Sequence, residues 1–244
     1  KKAYNVFGGY KIQVPLDACT ECCITKQQES QLASLTVNNI PFELLYDYNV
    51  AAKSITPDIN EFKYFLPRIL QFTYEFKYLS HSAELILSQF ESFNKNEWTT
   101  QEVDLVQSFG NIFFKKCLMT YPLPENEQID SILIMLYKAE VDIKQLLRIW
   151  TKEITKTSVL HLSCLMWSGF KNPDSEKLSS GLADEEISIL LFDWINNDIE
   201  LANLAPVIET IIMNPVEINE WELNELSWTY DRLNKIKYNK EIQK

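Results

Sequence analysis

The chain is poor in residues that several common classes of protein need. Only 5 of its 244 residues are glycine and only 2 are histidine. So few glycines argue against folds with many tight turns, such as β-sandwiches and propellers, and against a glycine-rich nucleotide-binding loop. No segment approaches the roughly 18 uncharged apolar residues that a membrane-spanning helix requires. Because 46% of the residues are hydrophobic, the chain nevertheless has enough apolar material for a folded core.

Positive charge is also scarce. The sequence has 23 Lys and Arg against 34 Asp and Glu, a net charge of −11, which is the wrong sign for a protein that binds nucleic-acid phosphates. The acidity is concentrated in residues 172–231, where fourteen acidic residues accompany a single lysine, and the rest of the chain sums to +2. Such clustering favours a cationic partner. The alternative is a solvated acidic surface that aids solubility.

Helix signals recur at short intervals. Thr25 with Gln28 resembles a capping box, and so does Thr99 with Glu102. Pro67 predicts a kink or a break in the helix that opens near residue 57. Only residues 4–14 suggest a strand. Helices are predicted over residues 26–35, 42–53, 57 onwards, 80–93, 99–119, 128–139, 141–152, 155–167, 184–196, 198–213 and 217–238.

This succession of helices with short links predicts an all-α protein. The expected architecture is a stack of antiparallel helix pairs that resembles an α-solenoid, or alternatively an irregular helical bundle. We expect one domain over residues 1–244. The polar segment 171–181, which contains a proline and a glycine, is the candidate for an internal boundary.

The sequence offers little for acid–base or nucleophilic catalysis. It contains no G-x-S-x-G, H-E-x-x-H, Walker or dinucleotide-binding pattern. His81 stands in the first turn of a predicted helix, and His161 lies between two leucines, where packing is the simpler interpretation. Asp184, Glu185 and Glu186 suit the positive end of a helix dipole. We predict no enzymatic activity and no cofactor; the alternative is an active site assembled from scattered residues.

Cysteine usage bears on the compartment and on metal binding. The five cysteines have no disulfide-framework spacing, and the first residues carry no apolar signal segment, so we predict a cytoplasmic protein with reduced thiols. Cys19, Cys22 and Cys23 include a C-x2-C spacing that suits zinc. A structural zinc site needs a second pair, for which His161 and Cys164 are the candidates. We predict buried thiols and no metal site, and zinc at these three cysteines is the alternative.

The last predicted helix has apolar residues on two faces. At about 100° per residue, one face should pack against the core and consists of Leu223, Leu226, Tyr230 and Leu233, whereas Trp221 and Trp228 lie on the opposite side. Tryptophan among acids is typical of a binding hot spot, and burial of both faces is the alternative. We predict a partner-binding surface that consists of Asp184, Glu185, Asp193, Asp198, Glu217, Glu220, Trp221, Glu225 and Trp228.

Two short segments carry a family resemblance. Residues 15–23 read PLDACTECC, and residues 57–68 read PDINEFKYFLPR. Both resemble parts of bacterial all-helical proteins found beside secreted polymorphic toxins. The resemblance implies an immunity protein that binds a cognate toxin in the cytoplasm and blocks its basic active-site face, with neither nucleic acid nor membrane as a partner. The alternative is a helical scaffold or adaptor that binds an endogenous protein or peptide along a groove.

Overall fold

A computed structural model describes residues 1–172 and 175–242 and confirms the predicted all-α class. Within these ranges no strand is present, and the only β-type pairing is an isolated bridge between Phe170 and Leu178. None of the described helices combines the length and the apolar character that crossing a bilayer demands. The α-helices are α1 (Lys2–Val6), α2 (Lys26–Ser34), α3 (Phe42–Val50), α4 (Ile59–Tyr74), α5 (Thr100–Leu118), α6 (Ile129–Lys138), α7 (Ile143–Trp150), α8 (Lys156–Ser168), α9 (Glu185–Asn197), α10 (Ala205–Met213) and α11 (Glu220–Ile242).

Short 3₁₀ helices occupy several of the links. One of them divides the segment 198–213, which was predicted as a single helix: a 3₁₀ helix comes first, and α10 then begins with Pro206 in its first turn, where proline is well tolerated. The 3₁₀ helices are Val37–Asn39, Ala83–Leu85, Ser88–Ser92, Lys95–Glu97, Pro124–Asn126 and Ile199–Leu204.

The chain divides into two compact units. The first consists of residues 1–110 together with residues 138–141, and the second contains the other described residues. The division therefore falls inside α5 and at the end of α6. The segment 171–181, predicted as a candidate boundary, belongs to the second unit, and its residues 173 and 174 lie outside the described chain.

Helix α4 supplies much of the core of the first unit. Asp58 caps it by accepting a hydrogen bond from the backbone N–H of Asn60 at 2.8 Å. Phe62 and Phe65 on its apolar face are buried. The helix continues through Pro67, so it does not break there. Burial of this long amphipathic helix offsets the cost of an internal proline, about 3 kcal/mol.

Two segments differ from their predicted secondary structure. Residues 4–14 contain the end of α1 followed by irregular chain, so the suggestion of a strand was wrong. Residues 80–93 form two 3₁₀ helices, so the prediction of one α-helix was wrong. In that segment Ser82 Oγ accepts a hydrogen bond from a backbone N–H, and Ser88 Oγ donates one to a backbone carbonyl. Such local bonds compete with the α-helical ladder.

The first unit also contains a buried ion pair. Nζ of Lys63 lies 2.9 Å from Oε2 of Glu102, and both side chains are 3% exposed. The ammonium also donates to the Tyr10 hydroxyl at 3.1 Å and to the Glu97 carbonyl at 2.7 Å. Burial acts to raise the pKa of Glu102, but the hydrogen bonds that its carboxylate accepts outweigh burial and lower that pKa. Both charges are therefore stabilised only while they remain paired.

The second unit is organised around α11. This helix contacts α8, α10 and the 3₁₀ helix Ile199–Leu204. Leu226 and Leu233 are fully buried, and Leu223 and Tyr230 on the same predicted face are half-buried. Trp150 of α7 is also fully buried, and its indole N–H donates to the carbonyl of Ser158 at 3.1 Å.

Candidate interaction surface

The start of α11 is set by its cap. Glu217 has a φ of +54°, which a helix cannot include, so the helix begins at Glu220. Oδ1 of Asn219 accepts from the backbone N–H of Glu222 at 2.9 Å, and the Glu222 carboxylate accepts from the backbone N–H of Asn219 at 3.0 Å. This reciprocal capping box fixes the first turn of α11, which carries Trp221.

Three tryptophans form a group that we call the indole cluster: Trp167 of α8 with Trp221 and Trp228 of α11. The ring of Trp167 is edge-on to both others, with its centroid 6.1 Å from that of Trp221 and 5.6 Å from that of Trp228. This arrangement is favourable for aromatic rings. Trp221 is 62% exposed and Trp167 is 38% exposed, whereas Trp228 is half-buried. The second apolar face of α11 is therefore partly open to solvent.

Glu225, predicted to contact a partner, is buried instead. Its exposed fraction is 5%, and its Oε1 accepts a hydrogen bond from Nε1 of Trp221 at 2.7 Å. Burial raises the pKa of the Glu225 carboxyl above its ordinary value, although the bond from Trp221 acts in the opposite direction. The two residues are four apart on one helix face, and the hydrogen bond between them orients the exposed indole.

The segment that precedes α11 is exposed and apolar. Met213 is 80% exposed and Val216 is 61% exposed. Glu217 and Glu220, which follow them, are also exposed. An exposed apolar patch with a polar rim is typical of an interaction site. We call the indole cluster together with these four residues, which precede Trp221 in the chain, the interaction surface.

The other predicted binding residues lie on α9 and at its ends. Asp184, Glu185 and Asp193 are exposed. Asp198 accepts a hydrogen bond from the backbone N–H of Glu200 at 2.8 Å and so caps the following 3₁₀ helix, which gives it a structural role. The predicted set therefore falls on two separate stretches of chain, one around α9 and one at the start of α11.

A groove of about 800 Å³ lies along α7 and α9. Its lining includes Lys144 and Arg148 from α7 with Glu186 and Asp193 from α9. Apolar side chains, among them Leu147, complete the lining. Since charges of both signs line the groove, the acids of α9 do not present a purely negative face.

His161 is held in the core of the second unit. It is 3% exposed, and its Nε2 lies 3.1 Å from the carbonyl of Cys117 and 2.8 Å from that of Thr120. Because carbonyls only accept hydrogen bonds, we assign the ring proton to Nε2. Burial lowers the pKa of His161 below its ordinary value of 6.5, so the folded protein favours the neutral ring.

This burial predicts a loss of stability in mild acid. The imidazole of His161 binds a proton near pH 6.5 in the unfolded chain and only at lower pH in the folded chain. The stability that this difference contributes is therefore complete above pH 6.5 and is lost as the pH falls through the folded pKa. Urea unfolding between pH 7 and pH 5 measures the loss. We expect His161→Asn to flatten the pH dependence and His81→Asn, on an exposed histidine, to preserve it. An equal dependence of the free energy of unfolding on pH in both variants would contradict the assignment of this dependence to His161.

One group of metal-ligating side chains lies in the first unit. The Sγ atoms of Cys19, Cys22 and Cys23 are all within 4.8 Å of one another. His161 and Cys164, the second ligand pair considered from the sequence, belong to the second unit, where Nε2 of His161 is bonded to two backbone carbonyls. Cys22 and Cys23 are exposed, so the expectation of buried thiols was wrong. These three thiols are the side chains that can hold a metal.

Sequence reasoning missed Trp167. Its ring meets Trp221 and Trp228 across a long stretch of chain, and no local period reports such a contact. Trp167 is therefore the member of the indole cluster that only the three-dimensional structure identifies. Comparisons of the chain with protein-family models, with curated proteins and with solved structures found no match.

Proposed function

We propose that this chain is an immunity or inhibitor protein that binds a cognate bacterial toxin through the interaction surface and blocks the toxin's active site. The observation that supports the proposal is the partly exposed indole cluster, two of whose rings, Trp221 and Trp228, belong to the acidic part of the chain. The proposed compartment is the cytoplasm, since the cysteines of the chain are free thiols and a reducing compartment preserves thiols.

The indole cluster is the proposed source of affinity. Burial of apolar surface contributes roughly 25 cal/mol per Å², and tryptophan offers a large area with few rotamers to restrict. Trp221 is already oriented by its bond to Glu225 and by its contact with Trp167. Binding therefore costs little further side-chain entropy at this residue.

The acids provide the proposed attraction. Residues 172–231 contain fourteen Asp and Glu and one Lys, and among them Glu217 and Glu220 are exposed and shortly precede Trp221 in the chain. A toxin that cleaves nucleic acid needs a cationic cleft to hold phosphates. Complementary potentials accelerate encounter with such a cleft. The proposed mechanism is steric: a cleft covered by this surface cannot admit its substrate.

Charge reversal tests the electrostatic part of the proposal. We expect Glu217→Lys combined with Glu220→Lys to slow association with the toxin by roughly 10-fold at low salt and much less at high salt, because salt screens exposed charges. Stopped-flow mixing at two ionic strengths measures this. The control pair, Glu43→Lys with Asp104→Lys, makes the same change in net charge on exposed acids of the first unit. Equal slowing by both pairs would remove this surface from consideration.

The alternative function is a helical adaptor for an endogenous partner. The groove along α7 and α9 favours it, since a volume of about 800 Å³ with apolar and charged lining suits part of a peptide. In that case Arg148→Glu in the groove should weaken binding, and Trp221→Ala should not.

Co-expression separates the two functions. The gene beside that of an immunity protein should encode a toxin that arrests growth when expressed alone, and this chain should restore growth when both are expressed. Trp221→Ala should reduce the rescue. If the neighbouring gene is harmless and deletion of this chain alone causes a defect, the adaptor is favoured and immunity is contradicted.

A further inference from the structure

The three cysteines between α1 and α2 form a compact group that we call the thiol cluster: Cys19, Cys22 and Cys23. The Sγ atoms of Cys19 and Cys22 are 3.4 Å apart, and those of Cys22 and Cys23 are 3.5 Å apart. These separations are far longer than a disulfide bond of about 2.05 Å, and all three cysteines are free thiols. Three sulfurs therefore converge on one point without being bonded to each other.

We propose that the thiol cluster binds one Zn²⁺ ion through three cysteine thiolates. Zn²⁺ takes thiolate sulfur at about 2.3 Å in tetrahedral geometry, which places ligand sulfurs roughly 3.8 Å apart. The sulfurs of the thiol cluster lie at 3.4 Å, 3.5 Å and, for the third pair, no more than 4.8 Å. Movements of a few tenths of an ångström bring the two shorter pairs to the ideal separation. The inference is independent of the function proposed above.

Backbone hydrogen bonds hold the thiol cluster in place. The N–H of Cys19 donates to the carbonyl of Ala52 at 3.0 Å, and the N–H of Ile24 donates to the carbonyl of Cys19 at 3.1 Å. Just before the cluster, Asp17 Oδ1 accepts from the backbone N–H of Ser54 at 2.8 Å. The turn is thus fastened to the segment that follows α3 and is ordered before any metal arrives, which lowers the entropic cost of binding.

A lysine lies close to the thiol cluster. Lys53 is close enough that a Cys23 thiolate would favour its charged form, although burial lowers the pKa of Lys53 to about 8. A neighbouring cation offsets the negative charge of three thiolates around one divalent ion.

The geometry also specifies the kind of site. Cys22 and Cys23 are exposed, so an ion can reach the sulfurs directly from solvent. Within the part of the chain that the structure describes, no imidazole or carboxylate joins the three sulfurs. A tetrahedral ion held here keeps its fourth position for water or for a ligand from another molecule, as ions with three protein ligands do.

Metal titration of the reduced, metal-free protein tests the proposal. Competition with a chromophoric chelator should give one Zn²⁺ per chain, and Co²⁺ in its place should give the near-ultraviolet band of thiolate-to-metal charge transfer. Zn²⁺ should also raise the melting temperature, since a ligand that binds only the folded state stabilises it. A Co²⁺ complex without the charge-transfer band would overturn the proposal.

Cysteine variants locate the ion. We expect Cys22→Ser to weaken Zn²⁺ binding by at least roughly 100-fold, because loss of outer-shell partners alone costs 10- to 100-fold. Cys22 is exposed and its Sγ contacts are with the other two thiols, so serine should leave the fold intact. Cys164→Ser, a thiol outside the cluster, is the matched control. Unchanged affinity in Cys22→Ser would overturn the assignment.

Alkylation of the unmodified chain provides a test that needs no variant. Zn²⁺ should slow labelling of all three cysteines of the thiol cluster and leave the labelling of Cys164 unchanged, as mass spectrometry of peptides can measure. Equal labelling rates with and without Zn²⁺ would contradict the proposal. A Cys19–Cys22 disulfide that persists under reducing conditions and excludes the metal would contradict it as well.

Discussion

Alanine in place of Trp221 is expected to weaken partner binding by roughly 30- to 1,000-fold, which corresponds to about 2–4 kcal/mol for a central tryptophan. The change removes an indole that is 62% exposed in the free protein and one side of the edge-on contact with Trp167. It also deprives the buried carboxyl of Glu225 of the hydrogen bond that it accepts from the indole N–H. Isothermal titration calorimetry with the purified partner measures the loss.

Two further variants separate the contributions of the ring and its N–H. Trp221→Phe keeps an aromatic ring but has no group to donate to Glu225, so we expect an intermediate loss. Val14→Ala removes a side chain that is also 62% exposed but belongs to the first unit; its affinity should stay within about twofold. If Trp221→Ala binds as tightly as Val14→Ala, the indole cluster is not the contact.

Replacement of Lys63 by methionine should lower the free energy of unfolding by about 3–5 kcal/mol, the usual cost of breaking a buried ion pair from one side. The variant leaves the carboxylate of Glu102 buried without its cation. The hydroxyl of Tyr10 and the carbonyl of Glu97 lose the same donor. Urea unfolding followed by circular dichroism measures the change.

The stability lost in Lys63→Met should depend on pH and on the burial of the ion pair. The folded pKa of Glu102 lies below its ordinary value of 4.5, so its stabilisation is present above about pH 4.5 and is lost as the pH falls through the lowered pKa. The difference in the free energy of unfolding between wild type and Lys63→Met should therefore become smaller as the pH falls below about 4.5. The control is Lys77→Met, whose partner Glu75 lies 3.0 Å away on the surface; it should cost less than about 1 kcal/mol. Equal losses in both variants would contradict the account.

Local patterns were sufficient for some features. The helical period alone separated Leu226 and Leu233, which are fully buried, from Trp221 on the opposite face. The capping box of Thr99 and Glu102 was predicted from their spacing and is present, with bonds of 2.8 Å and 3.3 Å. Each of these features depends on residues close together in the chain.

Features that depend on distant residues were not predictable in this way. Nothing near Glu102 in the sequence indicates that its carboxylate meets Lys63, and nothing near Trp221 indicates Trp167. The burial of Glu225 was missed for the same reason, since exposure depends on what packs against the helix. Of the kink or break predicted at Pro67, the break does not occur, because burial of a long helix compensates for one locally unfavourable residue.

The most direct test of the interaction surface is quantitative capture from the native host with two forms of the chain. One is the wild type, and the other combines Trp167→Ala with Trp221→Ala. The account predicts that the wild type retains a basic toxin domain in roughly equimolar amount and that the double variant retains little of it. Recovery of chaperones alone, or of the same toxin in equal amount with both forms, would contradict the account.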